Sequence, residues 1–396
     1  MVKNRKSKFK TTVFSFFALL LGLAIGFVSN VFVTLPNSYE IPAKVESQTH
    51  STAITGEIDV NVVKSSELSI HFLELGNKYT GDCTLVKVGN TEMLIDAGSK
   101  ESSIPTIKAY LDTYVTDGIL EYVVVTHAHE DHYAGFAVSD PEGSLFDMFE
   151  IKTIIEFSKT NKSTSNKLYK NYTDQKADAV NDYDTKVYTA LEYIKGEHGL
   201  NRDFELGTNV ECQILYQKYY ENEATTENEY SVCLQIVQGT KKYLFTGDLE
   251  KAGEESLVDE NVAGGKNDGR LSQVELYKAG HHGSKTSSSS KLLEVIRPKV
   301  VCVCCCAGSS EYTSKNENQF PTQQFVDRVS PYTNQIFVTT ICVDYKQNKF
   351  ESFNGNIVVC SNLSGDTAVY CSNNTTVLKD TEWFKANRTL PENAVA

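Results

Sequence analysis

The chain has 396 residues, 40% of them hydrophobic, and a formal net charge of -13. That is enough for one large domain or two ordinary ones with a buried core. No long basic stripe follows residue 10, which excludes stable nucleic-acid binding by charge alone, since neutralising phosphates takes clustered Lys and Arg. A transient nucleic-acid substrate stays open.

Lys3, Arg5, Lys6, Lys8 and Lys10 precede an apolar run from Val13 to about Val33, broken only by Ser15, Ser29 and Asn30. Twenty residues of helix span about 30 Å, enough for a bilayer core. Basic residues ahead of the run put the N-terminus in the cytoplasm and the rest outside. With no clear Ala-x-Ala-type site after the run, residues 1–34 read as a single-pass anchor. A cleaved signal segment, and hence secretion, is the rival reading. Residues 35–66 are polar and read as a linker.

From Leu68 the chain reads as short hairpin strands: Leu68 to Leu75, Cys83 to Val88 and Glu92 to Gly98, punctuated by Gly76, Gly81, Gly89-Asn90 and Gly98. His71, inside a strand, reads as a packed core side chain. Asp82 and Asp96 sit at strand ends, where both are expected to stand behind metal ligands. Asp96 is placed either to accept the second N–H of a metal-bound imidazole or to cap a turn. A helix is expected at Ile104–Tyr114, followed by Ile119–Val125, a β-branched run that reads as a buried strand.

That strand ends in Thr126-His127-Ala128-His129-Glu130-Asp131-His132. Ligands bind at strand ends in open α/β folds, and three imidazoles and a carboxylate suit borderline divalent metals such as zinc. His127 and His129, two apart on extended chain, point to one side. Asp131 and His132 come a turn later, facing a second ion; paired ions in hydrolytic sites lie about 3.5–4 Å apart.

Residues 158–205 read as an insertion with mixed helical periodicity over Asp174–Ile194; His198, just past it, reads as a surface histidine. Strands at Val232–Val237 and Lys242–Thr246 follow. The second ends in Gly247-Asp248, a carboxylate able to bridge two metals. Another strand delivers His281-His282 into Gly283-Ser284-Lys285-Thr286. The run Val300 to Cys306 reads as a buried strand whose Cys302, Cys304, Cys305 and Cys306 are small core residues. Cys360 and Cys371 are spaced to close a hairpin disulfide. A helix is expected at Gln323–Val329, with strands near Gln335–Val343, Lys349–Phe353 and Asn356–Cys360. The Asn-, Ser- and Thr-rich residues 361–396 read as a peripheral tail.

Gly81-Asp82-Cys83, Leu94 to Gly98, the Thr126–His132 motif, Phe245 to Glu250 and Lys278 to Ser284 together resemble the metallo-β-lactamase superfamily. They are most similar to the metallo-hydrolase domain of ComEC-type competence proteins. The resemblance implies an α/β fold, a four-layer αββα sandwich over residues 67–360, with the site at one edge of two stacked sheets. It implies one or two divalent ions, zinc or manganese: His127 and His129 on one, Asp131 and His132 on the other, and Asp248 between. His282 would complete the second site with His281 facing substrate, or the reverse. Two departures stand out. The further histidine that many members place before the bridging Asp has only His198 as a counterpart, and Asn316 to Pro321 holds no histidine.

The expected activity is metal-dependent hydrolysis of a phosphodiester outside the cytoplasm, by water activated on the ion. Asp131 or Asp248 would orient that water. His281 would protonate the leaving group or hold the anion, and Ser284, Lys285 and Thr286 would contact the phosphate. A lactone or β-lactam ring hydrolase and a non-catalytic surface-binding protein are the alternatives. Substrate identity and oligomeric state are not legible.

Overall fold

The computed structural model describes residues 54–140, 143–267 and 269–395. The expected anchor and most of the linker lie outside the described residues. Among the described residues no helix is long and apolar enough to cross a membrane.

Two sheets make up the fold. β1 (Ile54–Glu57), β2 (Leu68–Phe72), β3 (Thr84–Val88), β4 (Thr91–Ile95), β5 (Ile119–Val125), β6 (Glu150–Glu156) and β7 (Lys186–Thr189) enter the first. The second takes β8 (Asp203–Gly207), β9 (Val210–Leu215), β10 (Cys233–Gln238), β11 (Lys241–Phe245), β12 (Leu276–Lys278), β13 (Val300–Ala307), β14 (Ile336–Asp344) and β15 (Lys349–Ser352). β16 (Ile357–Ser361) and β17 (Ala368–Cys371) return to the first, whose order is β1-β17-β16-β2-β3-β4-β5-β6-β7. The second runs in unbroken sequence order.

Strand alternation assigns the layers. Phe72 stacks on Phe245 of β11 with ring centroids 6.2 Å apart, so the Leu68, Ile70 and Phe72 side of β2 faces the second sheet. His71 points the other way, against Tyr110 and Tyr114 of the helix Ile104–Tyr114. On β13, Cys302 and Cys304 join the core between the sheets, while Val301, Val303 and Cys305 pack with Leu257, Leu292 and Phe325 from helices. The result is helix, sheet, sheet, helix. His71 is buried, as read from sequence. It bonds Tyr110 Oη and Ser69 Oγ at 2.8 Å each, and burial lowers its pKa to about 3.

The structure corrects several segment readings. Residues 54–66, read as linker, supply β1 and a helix at Val60–Ser65. The 158–205 segment is built into both sheets: helix Lys167–Tyr183 crosses to β7, which pairs parallel with β6, and β8 edges the second sheet. Residues 361–396 are not peripheral. β17 lies between β1 and β16, and buried Arg388 donates to the carbonyls of Asn316, Gln319 and Pro321. Cys360 and Cys371 do not pair, because the hairpin register sets Cys360 opposite Ala368 and Cys371 opposite Ile357. All ten cysteines are free.

Candidate metal centre

β4 and β5 run parallel in the first sheet, and β11, β12 and β13 run parallel in the second. Their C-terminal ends open at one edge of the sandwich. Strands with buried C-terminal ends stop there and polar turns begin: Asp96 after β4, Thr126 to His132 after β5, Gly247-Asp248 after β11, and Gly280 to Gly283 after β12. The turns are tied by backbone. Asp82 N–H donates to Asp131 O at 3.0 Å, Ala97 N–H to His132 O at 2.7 Å, Val232 N–H to Thr126 O at 2.9 Å and His281 N–H to Gly247 O at 3.1 Å. Gly98 is required for this closeness, since a Cβ there would fall 1.7 Å from Asp131 O.

Asp96, His281 and His282 all have positive φ, at 60°, 47° and 53°. Non-glycine residues hold this conformation at a cost of order 1–3 kcal/mol each, and such strain concentrates at sites of function. Here it sets Asp96 behind His132, His281 at the mouth of the site and His282 inside it.

His132, Asp248, His282 and Asp82 come together, each offering a ligand atom within 4.8 Å of the others', and all are buried. His132 Nε2 lies 3.2 Å from both His282 Nε2 and Asp248 Oδ1. His282 Nε2 lies 3.4 Å from Asp131 Oδ2 and from Asp248 Oδ2. His127 and His129 form an adjacent pair, Nε2 to Nδ1, at 3.0 Å. Of the neighbouring histidines at the last turn, His282 enters the cluster. His281 sits at its mouth, with Nε2 3.7 Å from Asp248 Oδ2, Nδ1 3.1 Å from Thr286 Oγ1, and its ring beside Phe320. Ser284 bonds Thr286, Lys285 is exposed and donates to Asn318, and His198 pairs with Glu192 on the surface.

The donor set fits a divalent cation. His282 Nδ1 lies 2.9 Å from the Cys304 carbonyl, which only accepts, so Nδ1 carries the proton. His132 Nδ1 lies 2.7 Å from Asp96 Oδ2, which also accepts from Thr126 Oγ1. Both rings therefore turn Nε2 inward, toward each other and toward Asp248 Oδ1, which is buried without a hydrogen-bond partner. Such a face-to-face arrangement is repulsive unless positive charge lies within it. The titration shifts show the same demand. Burial opposes charging His132 and His282, yet Asp248 with Asp96 on one and Asp248 with Asp82 on the other hold both well above the usual imidazole range. Burial pushes Asp248 and Asp131 up, but the neighbouring histidines outweigh it and hold both carboxyls below their ordinary range. Burial lowers His127, His129 and His281, favouring neutral rings.

Several site residues were not read from sequence in these roles. Asp82, expected behind the ligands, stands among them, ion-paired with buried Lys278, whose Nζ is 4.0 Å from Asp248 Oδ1. Its signal was the Gly81-Asp82-Cys83 motif; Lys278 had only its place before the His pair. Tyr312 Oη donates to Asp131 Oδ2 at 2.8 Å from a polar loop with no pattern of its own. Ser231 Oγ accepts from Asp248 N–H at 3.0 Å and lies 3.4 Å from His127 Nδ1.

The family model described as the metallo-beta-lactamase superfamily matches residues 76–139 and 223–307. Among curated proteins, "Competence protein ComA" of Neisseria gonorrhoeae is 40% identical over 104 residues, 26% of this chain and 13% of that protein. "Recombination protein 2" of Haemophilus influenzae is 26% identical over 125 residues, 32% of this chain and 14% of that protein. "ComE operon protein 3" of Bacillus subtilis is 29% identical over 80 residues, 20% of this chain and 9% of that protein. In each case the match spans less than a sixth of the relative's length. A solved structure, the metallo-beta-lactamase fold protein YhfI from Bacillus subtilis, aligns with 54% of this chain and 70% of its own at 11% identity and a TM-score of 0.32. Motif order, two-sheet architecture and family match agree: residues 76–139 and 223–307 are similar to the metallo-β-lactamase superfamily, and the chain is similar to part of the competence proteins.

Proposed function

We propose that the chain is a metal-dependent phosphodiester hydrolase, held outside the cytoplasm by its N-terminal apolar segment. The observation that supports it most is the convergence of two imidazole Nε2 atoms and the Asp248 carboxylate in one buried space. In this reading His132, His282, Asp248 and Asp131 or Asp82 hold one divalent ion, zinc or manganese, and His127 with His129 hold a second more loosely. Bound there, a divalent ion supplies an activated water and charge for the phosphoryl oxygens.

This chain's own groups do the rest. Asp131, fixed by the Tyr312 hydroxyl, orients the attacking water. His281, steadied by Thr286, exchanges a proton with the leaving oxygen. Ser284 and Lys285, on the same turn, meet the phosphate.

The test is to strip the protein of metal, refill it with zinc or manganese, and assay bis(p-nitrophenyl) phosphate. Turnover that returns only with metal supports the proposal. Bound metal with turnover only of chromogenic lactones or β-lactams replaces it with ring hydrolysis, and failure to retain metal leaves the non-catalytic reading. Protease treatment of intact cells tests the location: cleavage of residues 54–395 from outside is expected.

A further inference from the structure

Beside the metal centre is a cavity of about 300 Å³ with Lys251, Lys285, Lys291 and Arg328 in its walls. Glu255 is the single acid in that lining, and Thr286 and three serines supply hydroxyls. In a chain of net charge -13, four cations around one small hollow run against composition. They also come from three separate segments, residues 251–255, 285–291 and 328, so no single helix face explains them.

The cavity is built from the same turns as the metal centre. Lys251 N–H donates to Thr286 O at 2.9 Å, and Ser287 Oγ donates to Leu249 O at 2.7 Å. Arg328 gathers the turn from beneath, donating to the carbonyls of Lys285, Ser287 and Ser288 at 3.1, 2.7 and 2.8 Å. Thr286 lines the cavity and bonds His281, whose Nε2 is 3.7 Å from Asp248 Oδ2. One histidine thus separates the cavity wall from the carboxylate of the metal centre.

Arg328 is occupied by the turn's backbone carbonyls, which leaves the three lysines to meet a ligand. Lys251 stands 3.8 Å from Glu255 in an exposed pair of little strength. Lys285 donates to a neutral amide oxygen of Asn318. Only Lys291 has a close carboxylate, Asp259, outside the lining. Lysines and hydroxyls that share the walls of one hollow in this way are the groups that recognise phosphate oxygens.

We propose that this cavity binds a second, non-scissile phosphate, so that the substrate carries at least two phosphates. The word substrate rests on the phosphodiesterase reading; the binding itself does not. The experiment therefore begins on the metal-free full chain, titrated calorimetrically with inorganic pyrophosphate. Saturable binding that weakens at least tenfold in Lys251→Gln/Lys291→Gln, with an unchanged circular dichroism spectrum and melting temperature, supports the cavity. No saturable binding, or equal binding by the variant, overturns it. The metal-loaded protein then hydrolyses bis(p-nitrophenyl) phosphate in competition with a 5′-phosphorylated oligothymidylate or a glycerol-phosphate oligomer of equal phosphate number. Inhibition that the double variant relieves supports the proposal, and the more effective polymer identifies the source of the phosphate. Inhibition that the variant retains overturns it. Diester turnover without pyrophosphate binding removes the cavity alone; pyrophosphate binding without turnover removes the phosphodiesterase reading and leaves a phosphate site.

Discussion

His132 Nε2 and His282 Nε2 meet at 3.2 Å across 150 residues of chain. Each ring is held from behind, one by Asp96 and the other by the Cys304 carbonyl, so neither is free to turn away. Asp96 is itself gripped by the Thr126 N–H and hydroxyl at 2.8 and 2.7 Å. It is therefore a positioning residue that sets the His132 tautomer. Asp96→Asn keeps the volume but offers His132 a weaker acceptor. Zinc affinity, read by competition with a chromogenic chelator, is expected to fall about 10–100-fold with the fold intact. An affinity within twofold of the native value would show that His132 needs no such partner.

Lys278 and Asp82 form an ion pair with both side chains nearly sealed from solvent. Burial opposes charging both, but each holds the other ionised: the ammonium pulls Asp82 down, and Asp82 with Asp248 raises Lys278. Replacing one partner strands the other's charge. Lys278→Met is expected to cost about 3–5 kcal/mol in urea unfolding, while Asp82→Asn/Lys278→Met recovers part of that loss. A double variant as unstable as the sum of its singles would mean that the pair is not coupled.

Gly98 is a contact requirement rather than a conformational one. Its φ is not in the left-handed region, but its missing Cβ makes room for the Asp131 carbonyl. Gly98→Ala must push the Asp131–His132 turn away from β4, at a cost of roughly 1–3 kcal/mol or more. Metal retention should fall with it. Gly199, with no atom within 4 Å of a built Cβ, is the comparison: Gly199→Ala strains its own backbone but leaves metal retention unchanged. Equal retention in both variants would remove Gly98 from the site's construction.

How far the sequence carried depends on the range of the interaction. The helices at Ile104–Tyr114 and Gln323–Val329 and the strand Ile119–Val125 were bounded from local pattern alone, because their apolar positions repeat with the period of the element. The polar turns after β5, β11 and β12 were legible too: after β5 a nearly continuous apolar run stops at histidine, and after β11 and β12 a short strand runs into glycine followed by aspartate or histidine. What was missed depends on partners far along the chain. β1 pairs parallel with β17 across some three hundred residues, a register with no local signature, so both ends read as linker and tail. The amphipathic helix Lys167–Tyr183 and β7 looked like an insertion because nothing in residues 158–205 shows which sheet edge they extend. Asp82 looked like a bystander because its rank depends on Lys278 and His282, two hundred residues on. Tyr312 reaches Asp131 from a loop whose composition is that of any solvated turn.

Glu254 links the helix Lys251–Asn261 to the turn below the basic cavity, accepting from the N–H groups of Ser288 and Ser289 at 2.6 and 2.7 Å. Burial raises its pKa to about 6, against the downward pull of those backbone donors. The sign of the pH effect follows from proton counting. Between the unfolded value near 4.5 and the folded value near 6, the folded chain holds more protons on this group than the unfolded chain. Its contribution to stability is thus complete below about pH 4.5 and is lost as pH rises through 6. Glu254→Gln does not titrate, so the difference in unfolding free energy, native minus variant, isolates the group from every other titration. That difference is expected to shrink by on the order of 2 kcal/mol between pH 4 and pH 7, measured by urea denaturation at each pH. A difference that stays flat, or grows toward pH 7, would mean that the carboxylate is held ionised at the turn and that the Ser288 and Ser289 donors outweigh burial.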